Sequence, residues 1–268
     1  LVDCKSCKRR FRADHLLEAK GIKPELGAMK TRPKELAECP ECGGELTSVR
    51  KFNLMFKTFV GPVEDDANVA YLRPETAQAM FVDFKQVLDS TRVGFPFGIA
   101  QIGKSFRNEI TPGNFIFRTR EFEIMEIEYF VREKEWEKYF DHWRVQMEEW
   151  TASLGIPQSA VHEVDIAKDD LAHYSKRTMD FEFDYPFGRK ELYGLAYRTD
   201  FDLKRHAEMS GQDLTYTDAA TGEKFVPHVI EPTWGVDRSV LATLISAYHE
   251  EQAPTANEGE TDKRVVMK

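Results

Sequence analysis

No apolar run in this 268-residue sequence approaches the roughly 20 residues that a membrane-spanning helix needs, so no membrane partner is expected. A basic excess is lacking too. The 37 Lys and Arg stand against 46 Asp and Glu, a net charge of −9, which speaks against a surface coated for non-specific nucleic-acid binding while leaving room for a local basic groove. Cysteine is scarce, four residues in all. With no secretory leader before them, they imply a reducing, cytoplasmic compartment rather than a disulfide scaffold. No internal repeat and no obvious catalytic triad is visible. The chain opens at Leu1 rather than Met and closes on Arg264–Met267 (RVVM), which reads as a strand cut short; both are expected of an interior segment of a longer protein.

What is present changes texture along the chain. Residues 1–50 hold all four cysteines, few large apolar residues and a Lys/Pro/Gly-rich middle from Lys20 to Lys34, as in a small metal-stapled insertion. Short β-branched and aromatic runs between Gly and Pro, such as Val69–Leu72 and Phe115–Phe122, favour a sheet from Lys51 to Phe130. Trp136, Phe140, Trp143, Met147 and Trp150 recur at helical spacing within Glu133–Leu154, and that aromatic stripe reads as core. Met179–Tyr185 alternates with period two and Phe225–Glu231 reads as a further strand. Asp200–Asp213 is helical or looped, and Arg238–Glu251 presents Leu241, Leu244, Ile245 and Tyr248 as a buried helix. Ala253–Lys263 is a polar linker.

Cys4 and Cys7, and Cys39 and Cys42, form two CxxC knuckles able to offer four thiolates to one tetrahedral Zn²⁺, a closed structural site. Gly43-Gly44 lets the backbone curl back toward such a metal. Residues 8–38 make a longer spacer than a zinc ribbon usually has, and free or disulfide-forming cysteines are the alternative. His15, a lone imidazole nearby, reads as structural rather than as a ligand.

Gly98–Ser105 (GIAQIGKS) satisfies the phosphate-loop pattern G-x-x-x-x-G-K-[ST] and so proposes a nucleotide phosphohydrolase. Context speaks against it. A phosphate loop opens a helix, whereas Ile99–Ile102 look like strand residues and Phe106–Phe130, with Pro112 and Gly113 in its middle, looks like a hairpin.

Further along, Phe106-Arg107-Asn108-Glu109, a polar turn from Thr111 to Asn114, Arg118-Thr119-Arg120-Glu121-Phe122 and the acidic stretch Glu123–Glu128 follow one another. A guanidinium binds phosphate bidentately, a carboxylate can accept from an adenine amino group, and a phenyl ring can stack on the base. The plain alternative is a surface hairpin with cross-strand ion pairs. The string GKSFRNEITPGNFIFRTREFEIMEIEYF resembles motif 2 of class II aminoacyl-tRNA synthetases, and Gly235-Val236-Asp237-Arg238 is similar to motif 3. Within that class, LRPETAQ (Leu72–Gln78), Glu191–Ala196 with Arg198–Asp202, and Pro227–Pro232 resemble the homodimeric glycyl-tRNA synthetase family over nearly the whole chain.

That resemblance implies an α+β fold, an antiparallel β-sheet flanked by helices, divided into a zinc-binding insertion (1–50), a catalytic core (51–252) and a linker (253–268) toward a C-terminal domain. It implies ATP-dependent activation of glycine, with Mg²⁺, and transfer to tRNA(Gly). Arg107 and Arg238 are the expected catalytic residues. Arg107 would hold the α-phosphate and the glycine carboxylate, Glu109 beside Asn108 the adenine edge, and Phe122 the adenine ring. Phe117, Arg118, Thr119, Arg120 and Glu121 would line the loop around ATP. Glu191 and Leu192 would lie near ribose and Mg²⁺, and Arg238, after Gly235, Val236 and Asp237, would hold the γ-phosphate. Glu75, Glu126 and Glu231 would converge on the glycine ammonium. Phe122, Glu123, Ile124 and Met125 on one side, and Pro232, Thr233, Trp234 and Gly235 on the other, would frame the amino acid. Ala79 stands where the family has Gly, Thr233 where it has Ser, and Trp234 is bulkier than the family pattern. Motif 1, which builds the family's homodimer, would lie upstream and the anticodon-binding domain downstream. A non-catalytic nucleic-acid-binding paralogue would have lost Arg107, Glu109, Phe122 and Arg238, and all four are present.

Overall fold

The computed structural model describes residues 1–22, 36–254 and 261–268, with Glu18 as backbone only. Most of the Lys20–Lys34 stretch and the centre of the Ala253–Lys263 stretch lie outside the described residues. The chain divides into two compact units, one of Leu1–Pro74 with Phe106–Glu121 and one of Glu75–Ser105 with Phe122–Lys268.

The first unit has a core of its own, small because the sequence supplies few large side chains. Val2, Cys4, Ala13, Leu17, Leu36, Cys39 and Leu46 bury one another around the single-turn helix α1 (Ala13–Glu18) and the two-residue pairing of Val2–Asp3 with Arg10–Phe11. Further on, Lys57–Phe59 pairs antiparallel with Val69–Tyr71.

The second unit is built on six strands: β1 (Phe97–Phe106), β2 (Glu121–Val131), β3 (Val161–Asp165), β4 (Arg177–Tyr185), β5 (Gly188–Thr199) and β6 (His228–Gly235). They lie in the order β1-β2-β6-β5-β4-β3, with every pairing from β2 to β3 antiparallel. The phosphate-loop look-alike Gly98–Ser105 is thus the body of β1. Gly98 suits the close approach of β2 there, since a Cβ would stand 3.1 Å from both the Ile127 and Tyr129 side chains and they would have to give way by a few tenths of an ångström.

Four helices serve this sheet. α2 (Ala77–Thr91) falls where the sequence texture favours a sheet, and its buried Ala77, Met80, Phe81 and Phe84 show why it is a helix: the spacing is three, four and seven. It ends at Arg92, which takes a left-handed conformation (φ 52°). α2 and α4 (Phe201–Ser210) cover one face of the sheet, packing Phe81, Phe84 and Leu203 against Phe97, Phe130 and Val229. α3 (Trp136–Ser153) covers the other face, and Gly155, at φ 74°, lets the chain turn away from its end. α5 (Val236–Ala247) continues directly from β6 and stops earlier than the expected Arg238–Glu251. From Tyr248 the backbone is extended, because Tyr248–Pro254 pairs with Thr261–Met267, and Leu244 and Tyr248 are exposed rather than buried. No helix among the described residues is long and apolar enough to cross a membrane.

Candidate active site

Alternation along the central strands decides which side chains share a face. In the β2–β6 register Glu126 faces Thr233 and Ile124 faces Gly235, while Met125 faces Trp234 and Tyr129 faces Ile230. The second set points to α3: Tyr129 packs on Tyr139 and Trp143, and Trp234 on Trp143, Trp150 and Tyr193. The first set points the other way, with Phe122, Ile124, Glu126 and Glu128 of β2 beside Glu231, Thr233 and Gly235 of β6. Of the residues expected to frame an amino acid, Glu123, Met125, Pro232 and Trp234 therefore turn their side chains to the opposite face from Glu126 and Glu231. Only their backbone borders the acidic face, and the bulk of Trp234 does not enter it.

That face carries buried charge at unusual density. Glu126 is 3% exposed and accepts from the Thr76 backbone N–H at 2.6 Å and from the Thr76 hydroxyl. Burial, then the charge of Glu75, pushes its pKa up, against the pull of the Thr76 bonds. Glu231 accepts from Arg198 Nη1 at 2.7 Å; burial nevertheless pushes its pKa up to about 7, with Glu126 and Glu75 adding to the rise against the Arg198 charge. Glu75, Glu126 and Glu231 are thus brought within electrostatic reach of one another. Gln78 donates Nε2 to Glu75 (3.0 Å) and to Asp202 (3.3 Å), and its Oε1 accepts from His206 Nε2 (2.8 Å).

Sequence reading passed over the cation that organises these acids. Arg198 is 1% exposed, donates Nε and Nη2 to Asp202 at 2.8 and 3.0 Å as well as Nη1 to Glu231, and lies 4.0 Å from the Tyr174 ring centre. It sits at the register shift where β5 meets β6. Arg and Asp four apart (Arg198, Asp202) was the available signal, though it is common on surfaces. Thr76, Glu128 and Asp180 were passed over too.

At the far end of the same sheet, Arg238 in the first turn of α5 donates to the Glu191 backbone carbonyl at 3.0 Å and pairs with its carboxylate at 3.2 Å. Asp180 of β4 faces Gly194 of β5, and burial, then the charges of Glu191 and Glu182, raise its pKa to about 7 against Arg238. Leu192 is buried. Asp237 accepts from the Glu123 backbone N–H at 2.8 Å, locking the start of α5 to β2; Val236 is the first residue of that helix.

In the first unit, Arg107 donates Nε to the Pro74 carbonyl (3.1 Å) and its N–H to Arg120 (2.9 Å), and Asn108 donates its N–H to Leu54 (2.6 Å). Reciprocal backbone bonds between Gly113 and Arg118, at 3.0 and 3.2 Å, close the intervening loop, and Arg120 Nε returns to the Glu109 carbonyl (3.1 Å). Within the loop Phe117 is buried, Phe115 is 76% exposed, and the Thr119 hydroxyl donates to the Glu121 carbonyl at 2.7 Å. Glu109 and Arg118 share a cleft of about 140 Å³ with Arg12 and His15 from the cysteine-rich segment.

The four cysteines meet in that segment. Their sulfurs lie within 4.8 Å of one another, with Cys4 to Cys42 at 3.5 Å and Cys7 to Cys39 at 3.8 Å. A tetrahedral zinc with bonds of about 2.3 Å sets its sulfurs about 3.8 Å apart, so the donor set fits. The knuckles repeat one geometry: the N–H of Lys8 returns to Cys4 and that of Gly43 to Cys39, with Lys8 and Gly43 both left-handed. A Cβ at Gly44 would collide with Ser6 and stand 3.2 Å from the Cys4 sulfur. His15 is outside the cluster.

Comparison with known proteins supplies the decisive observation. The family described as tRNA synthetase class II core domain (G, H, P, S and T) matches residues 59–248. The chain belongs to this family. Among relatives of this class II core, the glycine-tRNA ligase of Caldanaerobacter subterraneus subsp. tengcongensis is 50% identical across all of this chain, and that of Geobacillus kaustophilus 52% identical across 94% of it. The chain spans 59% and 57% of those two relatives' lengths. The antiparallel sheet with flanking helices is the architecture expected of a class II core.

Proposed function

We propose that the protein activates glycine with ATP and passes it to tRNA, the reaction named by its glycine-tRNA ligase relatives. The observation that carries this reading is the buried acidic face, where Glu126 and Glu231 already hold Thr76 and Arg198 and have the charge to take an ammonium group. A carboxylate oxygen of glycine attacks the α-phosphorus, the bond to the bridging oxygen breaks, and pyrophosphate leaves. The terminal tRNA hydroxyl then attacks the carbonyl of the glycyl-adenylate and loses its proton, the bond from that carbonyl carbon to the phosphate oxygen breaks, and AMP leaves.

No enzyme nucleophile is needed, because positioning and charge neutralisation supply the rate. Arg107 meets the α-phosphate and the glycine carboxylate, Asn108 and Glu109 the adenine edge, and Phe122 the adenine ring, with Phe117–Glu121 as the loop around ATP. Arg238 meets the γ-phosphate, with Gly235, Val236 and Asp237 holding the start of its helix. Glu191, next to Leu192, is the half-exposed acid at Arg238 suited to Mg²⁺, which supplies charge neutralisation on the phosphates. Glu75, Glu126 and Glu231 take the ammonium, and Thr233 shares their face. Cys4, Cys7, Cys39 and Cys42 hold one structural zinc. The working protein is a cytoplasmic homodimer.

The test is glycine-dependent ATP–pyrophosphate exchange. It is expected to require glycine and to fall by about a hundredfold or more in Arg107→Ala, with the fold unchanged by circular dichroism. Phosphate release independent of any amino acid, or near-normal exchange in the variant, would refute the assignment.

A further inference from the structure

One buried acid on the proposed substrate face has no part in the chemistry just described. Glu128 is wholly buried in β2, two residues from Glu126 and on the same face. The pairs on either side of it, Tyr129 with Ile230 and Glu126 with Thr233, place it directly opposite Glu231 of β6. Directly opposed side chains on antiparallel strands stand about 5 Å apart at Cβ. Two carboxyl groups at that spacing, shut away from water, do not both ionise; one keeps a proton.

The surroundings decide which one. Glu231 has the Arg198 guanidinium at 2.7 Å, and Glu126 has the Thr76 N–H and hydroxyl. Among the described residues no N–H or hydroxyl donor reaches either oxygen of Glu128. Arg198 gives Nε and Nη2 to Asp202. The charged groups facing Glu128 are Glu231 from β6, Arg198 from β5 and Glu126 from its own strand, while Glu75 acts on Glu231 and Asp202 on Arg198. Burial first, then the charge of Glu231, drives the Glu128 pKa well above the usual carboxylate range in spite of Arg198.

We propose that Glu128 is a positioning residue that stays protonated and donates its O–H to the Glu231 carboxylate across the β2–β6 ladder. Glu231 is thereby held from two sides, by this O–H and by Arg198 Nη1, as a charged acceptor for the substrate ammonium. The inference rests on the proposed reading of the face as the amino-group site. It adds a neutral acid to that site, one whose role depends on its proton rather than on its charge. A fourth carboxylate beside Glu75, Glu126 and Glu231 would repel all three; a carboxylic acid anchors one of them.

Two readouts test it separately. Infrared spectra recorded at about pH 8.5, where Glu231 is charged, are expected to show the carbonyl stretch of a buried protonated carboxylic acid that disappears in Glu128→Gln. In glycine-dependent exchange, Glu128→Leu, close in volume but without a donor, is expected to raise the glycine KM about tenfold or more with a much smaller change in kcat. Glu128→Gln, a neutral N–H donor of the same shape, is expected to restore KM to within about threefold of the parent. Absence of the carbonyl band overturns the proposal, because Glu128 is then ionised. A Gln variant as impaired as the Leu variant overturns it as well, since a donor in that place then does nothing. The band present in a protein that no amino acid drives to exchange would locate the failure in the activation reading and remove the positioning role with it.

Discussion

The two faces of the β2–β6–β5 strands differ as much as two faces of one sheet can. Toward α3 stand rings: Tyr197 stacks on Trp136 at 4.2 Å, and Trp234 is ringed by Trp143, Trp150 and Tyr193 at 6.4–6.5 Å. On the reverse, one residue along each strand, stand Glu126, Glu128, Glu231 and Arg198, all nearly inaccessible. Burying Arg198 and the acids it faces costs free energy that ion pairing and hydrogen bonding only partly return. The aromatic face and the Phe81/Phe84/Phe130 cluster offset that cost through apolar burial. The contrast also fixes register, since a slip of one residue would send every acid to α3 and every ring to the acidic face. Stability and proposed chemistry thus occupy alternate residues of the same strands.

The largest expected effect comes from removing the cation on the acidic face. Arg198→Met leaves Asp202 and Glu231 buried without their guanidinium and is expected to lower stability by about 3–5 kcal/mol in denaturant titration. A loss below about 1 kcal/mol would mean that the acids are neutral without it, and the contrast between the faces would be one of shape alone.

A smaller effect follows from proton uptake. Glu231, raised to about 7, is charged above that pH and neutral below it. The glycine KM is therefore expected to rise as pH falls through about 7, by up to about tenfold per pH unit, while the ATP KM changes less. A glycine KM flat down to about pH 5 would show that the ammonium is held elsewhere.

The smallest effect on either face is expected from the metal. The protein is expected to hold about one zinc per chain, and chelation is expected to speed amide exchange within residues 1–50, whose small core rests on Cys4 and Cys39, while leaving β2, β5 and β6 protected. Equal loosening of the sheet would mean that the two regions share their stability.

The fold was legible wherever one period dominated. Met179–Tyr185 alternates because one side meets rings and the other acids, and α3 is visible because its aromatic stripe has a single partner face. α2 was hidden, since Phe81, Val82, Phe84 and Val87 give a helix the texture of a strand. The helix expected to run to Glu251 stops at Ala247 because its continuation, Tyr248–Pro254, pairs antiparallel with Thr261–Met267, a pairing that the helical spacing of Leu241, Leu244, Ile245 and Tyr248 does not reveal. Glu75, Glu126 and Glu231 were readable through family resemblance. Arg198 and Glu128 were not, because an arginine and a glutamate in strands look like surface residues until register sets them against their partners. Glu126 and Glu128, two apart in β2, and Arg198 and Asp202, four apart, were the local hints.

The central claim is that the acidic face, and not the aromatic one, meets the amino group of the substrate. The most direct measurement is the glycine KM in ATP–pyrophosphate exchange for Glu231→Gln beside Trp234→Phe, residues of the same strand β6 whose side chains leave the sheet on opposite sides. The expected result is a rise of about tenfold to a hundredfold for Glu231→Gln, from the loss of a charged acceptor, with the ATP KM unchanged, against a change within about threefold for Trp234→Phe. Equal rises in both, or a larger one in Trp234→Phe, would contradict the assignment of the amino-group site to the acidic face.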